Sequence, residues 1–473
     1  MRYAFAIDHR KCIGCHACTV ACKTEHGVPL GDYRTWVKYV ERGEFPHVRR
    51  YFTVLRCNHC SDAPCVTICP TVALYKRADG VVDFNKDRCI GCKSCMQACP
   101  YDAIYIDQDT NTAAKCNFCA HRLEVGLEPA CVIVCPEQAI IAGDLDNPLS
   151  EISRLVNREP TEVRKPDQGT GPNVYYIGAD SASLAPSAIA RGQTYLWAQP
   201  KAGDAAGAPA VASGRTALEQ REERPGALGQ VTYDVHHPAP WGLKVALYLW
   251  TKGIAAGALL VPCLLVGFGL TQDLPLLGIW APLVALAFNA VTAALLVADL
   301  KRPERFYYIL TRGNWDSWLV RGAYILMAHG AAATLWLILA WAGQGDLLRI
   351  LAWPGAVVAL AAAGYTAFLF GQAEGRDLWQ SPLFLWHLLV QALLTGGGVL
   401  VLSAVAVGAG PHLVGLLSAL LTGALVINAL ILVGELLSRP ANRDVAAASA
   451  LILAALLVHE VVFVRAGQAI PLS

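Results

Sequence analysis

The run Cys12-Ile-Gly-Cys15-His-Ala-Cys18-Thr-Val-Ala-Cys22 decides how the first part of this chain is read. It returns as Cys89-Ile-Gly-Cys92-Lys-Ser-Cys95-Met-Gln-Ala-Cys99-Pro100. Two looser versions are Cys57-Asn-His-Cys60 with Cys65 and Cys69-Pro70, and Cys116-Asn-Phe-Cys119 with Cys131 and Cys135-Pro136. Sixteen of the seventeen cysteines therefore lie between Cys12 and Cys135, and only Cys263 lies outside. Three thiolates on one tight loop reach three irons of a cubane, while a fourth cysteine begins a separate segment and in two-cluster proteins serves the other cluster. Proline after that fourth cysteine ends local hydrogen bonding and turns the chain away. The first motif carries Lys23 there instead.

Two other uses of so many cysteines fit less well. A disulfide scaffold belongs to small secreted domains, yet the first motif begins directly after Met1–Lys11, which leaves no room for a secretory signal. Zinc sites take four ligands as two pairs, and C-x2-C-x2-C triplets are wasteful for that. Each motif keeps four cysteines, so four [4Fe–4S] clusters are expected, carried by two ferredoxin-like halves. Spacing alone does not say which motifs exchange their fourth cysteine.

The stretch Cys57-Asn-His-Cys60-Ser-Asp-Ala-Pro64-Cys65, with Lys76-Arg77-Ala-Asp79-Gly80, Cys99-Pro100-Tyr101, Pro129-Ala130-Cys131 and Gly143-Asp144-Leu145, resembles the four-cluster subunits of the dimethyl sulfoxide reductase and polysulfide reductase type. The resemblance covers about residues 1–180. It implies that Cys12, Cys15, Cys18 and Cys135 would hold one cluster, and Cys22, Cys116, Cys119 and Cys131 its neighbour. Cys57, Cys60, Cys65 and Cys99 would hold the third, and Cys69, Cys89, Cys92 and Cys95 the fourth. It also implies a conduit between a large catalytic subunit, usually bearing molybdopterin, and a membrane partner. No catalytic pocket for a terminal substrate is expected in this chain.

The fold class expected is an α+β ferredoxin-like tandem [4Fe–4S] domain (residues 1–195), a linker (196–240), and an all-α polytopic transmembrane bundle of seven or eight helices (241–473). The linker is rich in Ala, Gly, Pro, Arg and Glu and lacks apolar periodicity, so it reads as a tether between two subunits that are often separate chains. A membrane-crossing helix needs roughly 20 apolar residues. Candidates lie at about 243–270, 276–300, 317–343, 348–372, 383–408, 412–437 and 445–465. With 38 Lys and Arg against 37 Asp and Glu, nothing in the charge suggests nucleic acid.

Leu247-Tyr-Leu-Trp-Thr-Lys252, Asp299-Leu-Lys-Arg302-Pro303-Glu-Arg305-Phe306, Ser317-Trp318 through Gly322, and Gly364-Tyr365-Thr366 resemble the NrfD/polysulfide-reductase membrane subunits. That resemblance implies a quinone site (menaquinone or ubiquinone) in which Tyr365 and either His236 or His237 touch the quinone. Ionisable groups inside a membrane cost about 2.5–3.5 kcal/mol each on insertion scales. This singles out Lys252, Asp299, His329, His387, Glu435, His459 and Glu460. Against a quinone or proton role stand ordinary ones: interhelical hydrogen bonds for His329, His387 and His459, an ion network of Asp299 with Arg302 and Arg305, and core packing for Tyr365. Cys263 reads as a small buried hydrophobe.

If the helices alternate, Lys301, Arg302, Arg305, Arg312, Arg376, Arg439 and Arg443 lie on the cluster-domain side, against Arg349 and Arg465 opposite. The positive-inside rule then puts the cluster domain in the cytoplasm, although some relatives of this type face the periplasm. The function expected is electron transfer between a catalytic subunit and membrane quinone. The alternatives are the same wire serving a hydrogenase or a multihaem complex, a proton-translocating membrane module, and a mere anchor.

Overall fold

The computed structural model describes residues 1–43, 46–184, 189–191, 229–237, 240–271 and 273–438. The chain divides into two compact units. One is Met1–Pro240 with Leu300–Ser317 and Gln372–Arg376; the other is Trp241–Asp299 with Trp318–Gly371 and Asp377–Ser473.

In the first unit, short strands with alternating apolar residues frame the cysteine loops. A four-stranded sheet runs in the order Ile140–Asp144, Tyr3–Asp8, Val174–Ile177, Thr161–Glu162, with its two middle strands parallel. A second has the order Ile189–Arg191, Gly229–Tyr233, Thr35–Arg42, Arg49–Arg56. Two hairpins, Leu74–Lys76 with Val82–Phe84 and Ile104–Asp107 with Thr112–Lys115, complete the unit's strands among the described residues. The expected tether is thus shorter than 196–240, because Gly229–Tyr233 pairs antiparallel with Thr35–Arg42. Val231 faces Val40 in a small buried contact, and Val235 enters the main core. An alternation of this kind is half-buried strand, hidden here by the Pro- and Gly-rich residues before it.

All four cysteine loops make the same turn. The third residue of each C-x-x-C has positive φ: Gly14 (72°), His59 (44°), Gly91 (67°) and Phe118 (61°). Glycine takes this conformation freely, whereas His and Phe are strained in it. The surroundings hold them. Phe118 stacks on Phe5 at 4.0 Å between ring centroids, and His59 accepts a hydrogen bond on Nδ1 from the Val82 N–H at 3.2 Å. Helix Ala17–His26 carries Cys18 and Cys22 and continues for a turn beyond them. A proline in place of Lys23 would break it, and Lys23 instead reaches the Pro29 carbonyl at 3.0 Å.

The segment Leu300–Ser317 is part of this unit. Lys301 and Arg302 donate their backbone N–H groups to the carbonyls of Gly91 and Ile90. Arg305 Nη1 donates to the carbonyls of Lys86 (2.8 Å) and Cys89 (3.0 Å), and Arg302 Nε to that of Thr110. Asn314 Nδ2 reaches the Cys69 carbonyl at 3.1 Å and Ser317 Oγ the Ile68 carbonyl at 2.7 Å. The described side-chain bonds of Arg302 and Arg305 go to these carbonyls and, for Arg302, to Glu304. Asp299 closes a helix of the other unit.

Among the described residues, six helices of the second unit are long and apolar enough to cross a membrane: Leu243–Gly267, Leu274–Asp299, Trp318–Trp341, Gly345–Gly371, Phe384–Ala406 and Pro411–Ser438, called spans one to six. The expected helix at 445–465 lies outside the described residues, as do the side chains of Glu435, His459 and Glu460. Span one is buried along most of its length, while the others keep faces outward. Span one packs on spans two, four and five. It meets span five backbone to backbone, where a Cβ on Gly257 or Gly396 would overlap the other helix. Close approach through small residues is how helices associate without a hydrophobic driving force.

Candidate electron-transfer centres

The fold gathers the sixteen cysteines into four groups. One cavity is lined by Cys12, Cys15, Cys18 and Cys135, and another by Cys69, Cys89, Cys92 and Cys95. Cys22 lies close enough to Cys116, Cys131 and Cys119 for their charges to interact, as Cys65 does to Cys99, Cys57 and Cys60. These are the groupings the family resemblance implies, here called set I (with Cys12), set II (with Cys22), set III (with Cys57) and set IV (with Cys69). Between sets, Cys18 neighbours Cys131, Cys116 neighbours Cys57, and Cys95 neighbours Cys65. The groups therefore form a row, I–II–III–IV. Cys15 of set I is exposed, and sets II and III are wholly buried.

The donor chemistry fits iron–sulfur clusters. Burial pushes the Cys116 thiol up to about 12 and the Cys18 thiol to about 11, so left as free thiols these groups would resist ionisation. A cationic iron core reverses that balance, because a coordinating thiol is deprotonated outright. Among the described residues no three Cys, His, Asp or Glu groups converge to hold a single ion. Hydrogen bonds to the cysteine sulfurs, of a kind that would tune such clusters, differ between sets. Set IV receives backbone N–H groups, from Ala73 to Cys69 (3.2 Å) and from Ala113 to Cys89 (3.3 Å). Set II receives side chains: Arg56 Nη1 donates to Cys131 Sγ at 3.1 Å, and His26 Nε2 lies 3.2 Å from Cys119 Sγ.

The residues expected at a quinone site fall in both units. In the first, His236 and His237 line a cavity of about 620 Å³ with Lys93, Asp102, Lys301 and Arg376. Arg305 is held on the set IV loop as described. In the second, Tyr365 of span four is buried, and its hydroxyl lies 2.5 Å from that of Tyr248 on span one. Lys252 is 1 % exposed; its Nζ donates to the Ala363 carbonyl (2.7 Å) and Thr366 Oγ1 (2.6 Å) and lies 4.9 Å from the Tyr365 ring centre. Gly322 leaves the room that the Tyr365 ring occupies. Tyr248 is not singled out by the sequence, and its bond to a residue 117 positions away is visible only in the fold. His329 is fully buried beside Ala255 of span one, and His387 is half-buried in the first turn of span five. Cys263 is fully buried, with Gly355 packed against its sulfur.

Residues 233–473 match the family model described as polysulphide reductase, NrfD, and residues 48–145 match that of the 4Fe-4S dicluster domain. The chain belongs to the NrfD family. Its cluster-bearing part is 46 % identical to a tetrathionate reductase subunit of Salmonella typhimurium over 200 residues, 41 % of this chain and 80 % of that protein. It is 37 % identical to the arsenate respiratory reductase iron–sulfur subunit of a Shewanella species over 225 residues, 37 % of this chain and 96 % of that one. A polysulfide reductase chain of Wolinella succinogenes is 41 % identical over 179 residues, 37 % of this chain and 94 % of that one. This NrfD-family chain thus joins an iron–sulfur part, similar to subunits of respiratory reductases, to a multi-pass membrane part. It is an electron-transfer and membrane-anchoring chain of an oxidoreductase kind.

Proposed function

We propose that the chain passes electrons through four [4Fe–4S] clusters, one in each cysteine set, between a large molybdopterin-bearing catalytic subunit and a quinone in the membrane. The observation that carries this reading is the row of sets, from the exposed Cys15 at set I to set IV. Set IV holds the segment 300–317, whose chain runs directly into spans two and three. Each cluster supplies one-electron storage. The protein supplies the spacing, the burial that excludes water, and the hydrogen bonds that set each potential. The relatives named for tetrathionate, arsenate and polysulfide reduction support a catalytic partner that acts on a small inorganic oxidant, while this chain converts no terminal substrate itself.

Quinone chemistry moves two electrons and two protons. Tyr365, Lys252 and Tyr248 on spans one and four are the groups proposed to hold or deliver those protons, with His236 or His237, Asp299, Arg305 and His387 as further candidates. The buried Lys252 group also favours a second reading, proton movement through the membrane part, which a membrane-potential assay in proteoliposomes separates from plain quinone exchange. The positive-inside count supports a cytoplasmic cluster domain. Arg302, Arg305 and Arg376, however, are engaged in hydrogen bonds that would hold them there in either orientation.

The test is to purify the chain from its own membranes in mild detergent, identify the large subunit that accompanies it, and reduce the clusters with a quinol. A molybdenum or tungsten partner, about four irons for each set and quinol-reducible signals are expected. A hydrogenase or cytochrome partner would overturn the assignment of what the wire serves. Iron well below that content would overturn the wire itself.

A further inference from the structure

Arg56 ends the strand Arg49–Arg56 and is 1 % exposed. Its guanidinium lies 4.3 Å from the centre of the Phe5 ring, and Nη1 donates to Cys131 Sγ at 3.1 Å. Nε and Nη2 are buried and meet no protein acceptor. Among the described residues no carboxylate forms an ion pair with it; the groups whose negative charge would act on it most strongly are Cys131 and Cys116 of set II and Cys18 of set I. A second buried cation, Lys115, is satisfied differently, by the carbonyls of Val82 and Cys116. A fixed cation buried without a counter-charge is strongly disfavoured. Four thiolates on a cubane leave a net anion in either oxidation state, and reduction makes it more negative by one charge.

We propose that Arg56 is the counter-charge of the set II cluster and raises its reduction potential, so that this buried site holds an electron longer than its neighbours. The proposal rests on the cluster reading above. An electron arriving from set I or set III adds one negative charge at set II, and a guanidinium at hydrogen-bond distance in a dry interior stabilises that state more than the oxidised one. The effect on set I is smaller, because the guanidinium bonds directly to a sulfur of set II and acts on Cys18 of set I only through space. Arg56 touches a ligand sulfur and takes no part in bond making, so it is a positioning residue for the electron. Guanidinium does not titrate in the working range, so its contribution is constant with pH.

The test is redox-poised EPR on the full chain with its partner in detergent, with the set II signal assigned as the one that Cys119→Ser alters. Arg56→Gln is expected to lower that midpoint at least tenfold in equilibrium constant, about 59 mV for one electron, while sets III and IV stay in place. Arg56→Lys, which keeps the charge, is expected to recover most of the shift. Unmoved midpoints, or a Lys variant displaced as far as the Gln variant, would overturn the proposal. A measurement on the unmutated protein covers the case in which Arg56→Gln fails to assemble. With guanidino-15N arginine, pulsed EPR of the reduced set II cluster is expected to show nitrogen coupling, and its absence overturns the proposal. Iron content and the number of signals in the unmutated protein judge the cluster reading separately.

Discussion

The two parts of this chain place their functional groups in opposite ways. In the cysteine-rich part, each set takes three cysteines from one stretch of chain and a fourth from elsewhere, so most of its chemistry is local. In the membrane part, Lys252 and Tyr248 on span one meet Tyr365 and Thr366 on span four across more than a hundred residues. In the first part the spacing of the cysteines differs from motif to motif; the second depends on how whole helices pack. Local encoding makes a site easy to recognise, and distributed encoding makes it easy to misjudge.

That contrast can be broken most sharply at a ligand. Cys69→Ser is expected to remove the set IV cluster alone and to lower quinol-linked reduction of the other three by about a hundredfold or more, some 2.7 kcal/mol of barrier. Redox-poised EPR with stopped-flow reduction reads both effects. Quinol reduction that survived would mean that electrons enter elsewhere in the row.

In the membrane part the equivalent cut is in the packing. Gly257→Leu places a side chain where the backbone of span five runs. It should cost about 2–3 kcal/mol, the upper part of the usual range for overpacking. Thermal aggregation in detergent should come earlier, with iron content unchanged. Loss of iron in this variant would contradict the local encoding of the cysteine sets.

Tyr365→Phe sharpens the comparison at a single atom. It removes the hydroxyl that meets Tyr248 and is expected to slow quinol oxidation about tenfold, near 1.4 kcal/mol, with every cluster signal intact. Turnover equal to the unmutated protein would return Tyr365 to core packing. The smallest effect is expected at Ser150, whose Oγ accepts from the Ser153 N–H at 3.2 Å at the start of helix Glu151–Arg158. Ser150→Ala should cost about 1 kcal/mol of stability and move no cluster potential, as denaturant unfolding and EPR would show.

The cysteine motifs and the apolar runs are legible because spacing and composition are properties of contiguous sequence. The exchange of fourth cysteines is available only through resemblance, since it depends on how two distant halves face one another. The strand Gly229–Tyr233 is hard to see in the sequence because its partner, Thr35–Arg42, is nearly two hundred residues earlier and its own alternation is five residues long. Lys301, Arg302 and Arg305 read in the sequence as a signal of membrane sidedness. Their hydrogen bonds to the set IV loop give the same charges a second reason to be there. Lys23 departs from the proline of the other motifs, and the cause emerges only with helix Ala17–His26 running through it.

The segment 300–317 grips the set IV loop almost wholly by giving hydrogen bonds to main-chain carbonyls. Such acceptors are the same whatever side chains they carry. Substitutions at accepting positions such as Lys86 and Thr110 can therefore accumulate without weakening the grip, whereas Cys69 and Cys89 belong to set IV and a Cβ on Gly91 would overlap Lys301. A change at Arg305, Asn314 or Ser317 is felt at once. Comparison of many such chains should find the donors held fixed and accepting side chains such as those of Lys86 and Thr110 free to drift, with little covariation between them. The attachment is inherited through the shape of the main chain on one side and through amino-acid identity on the other.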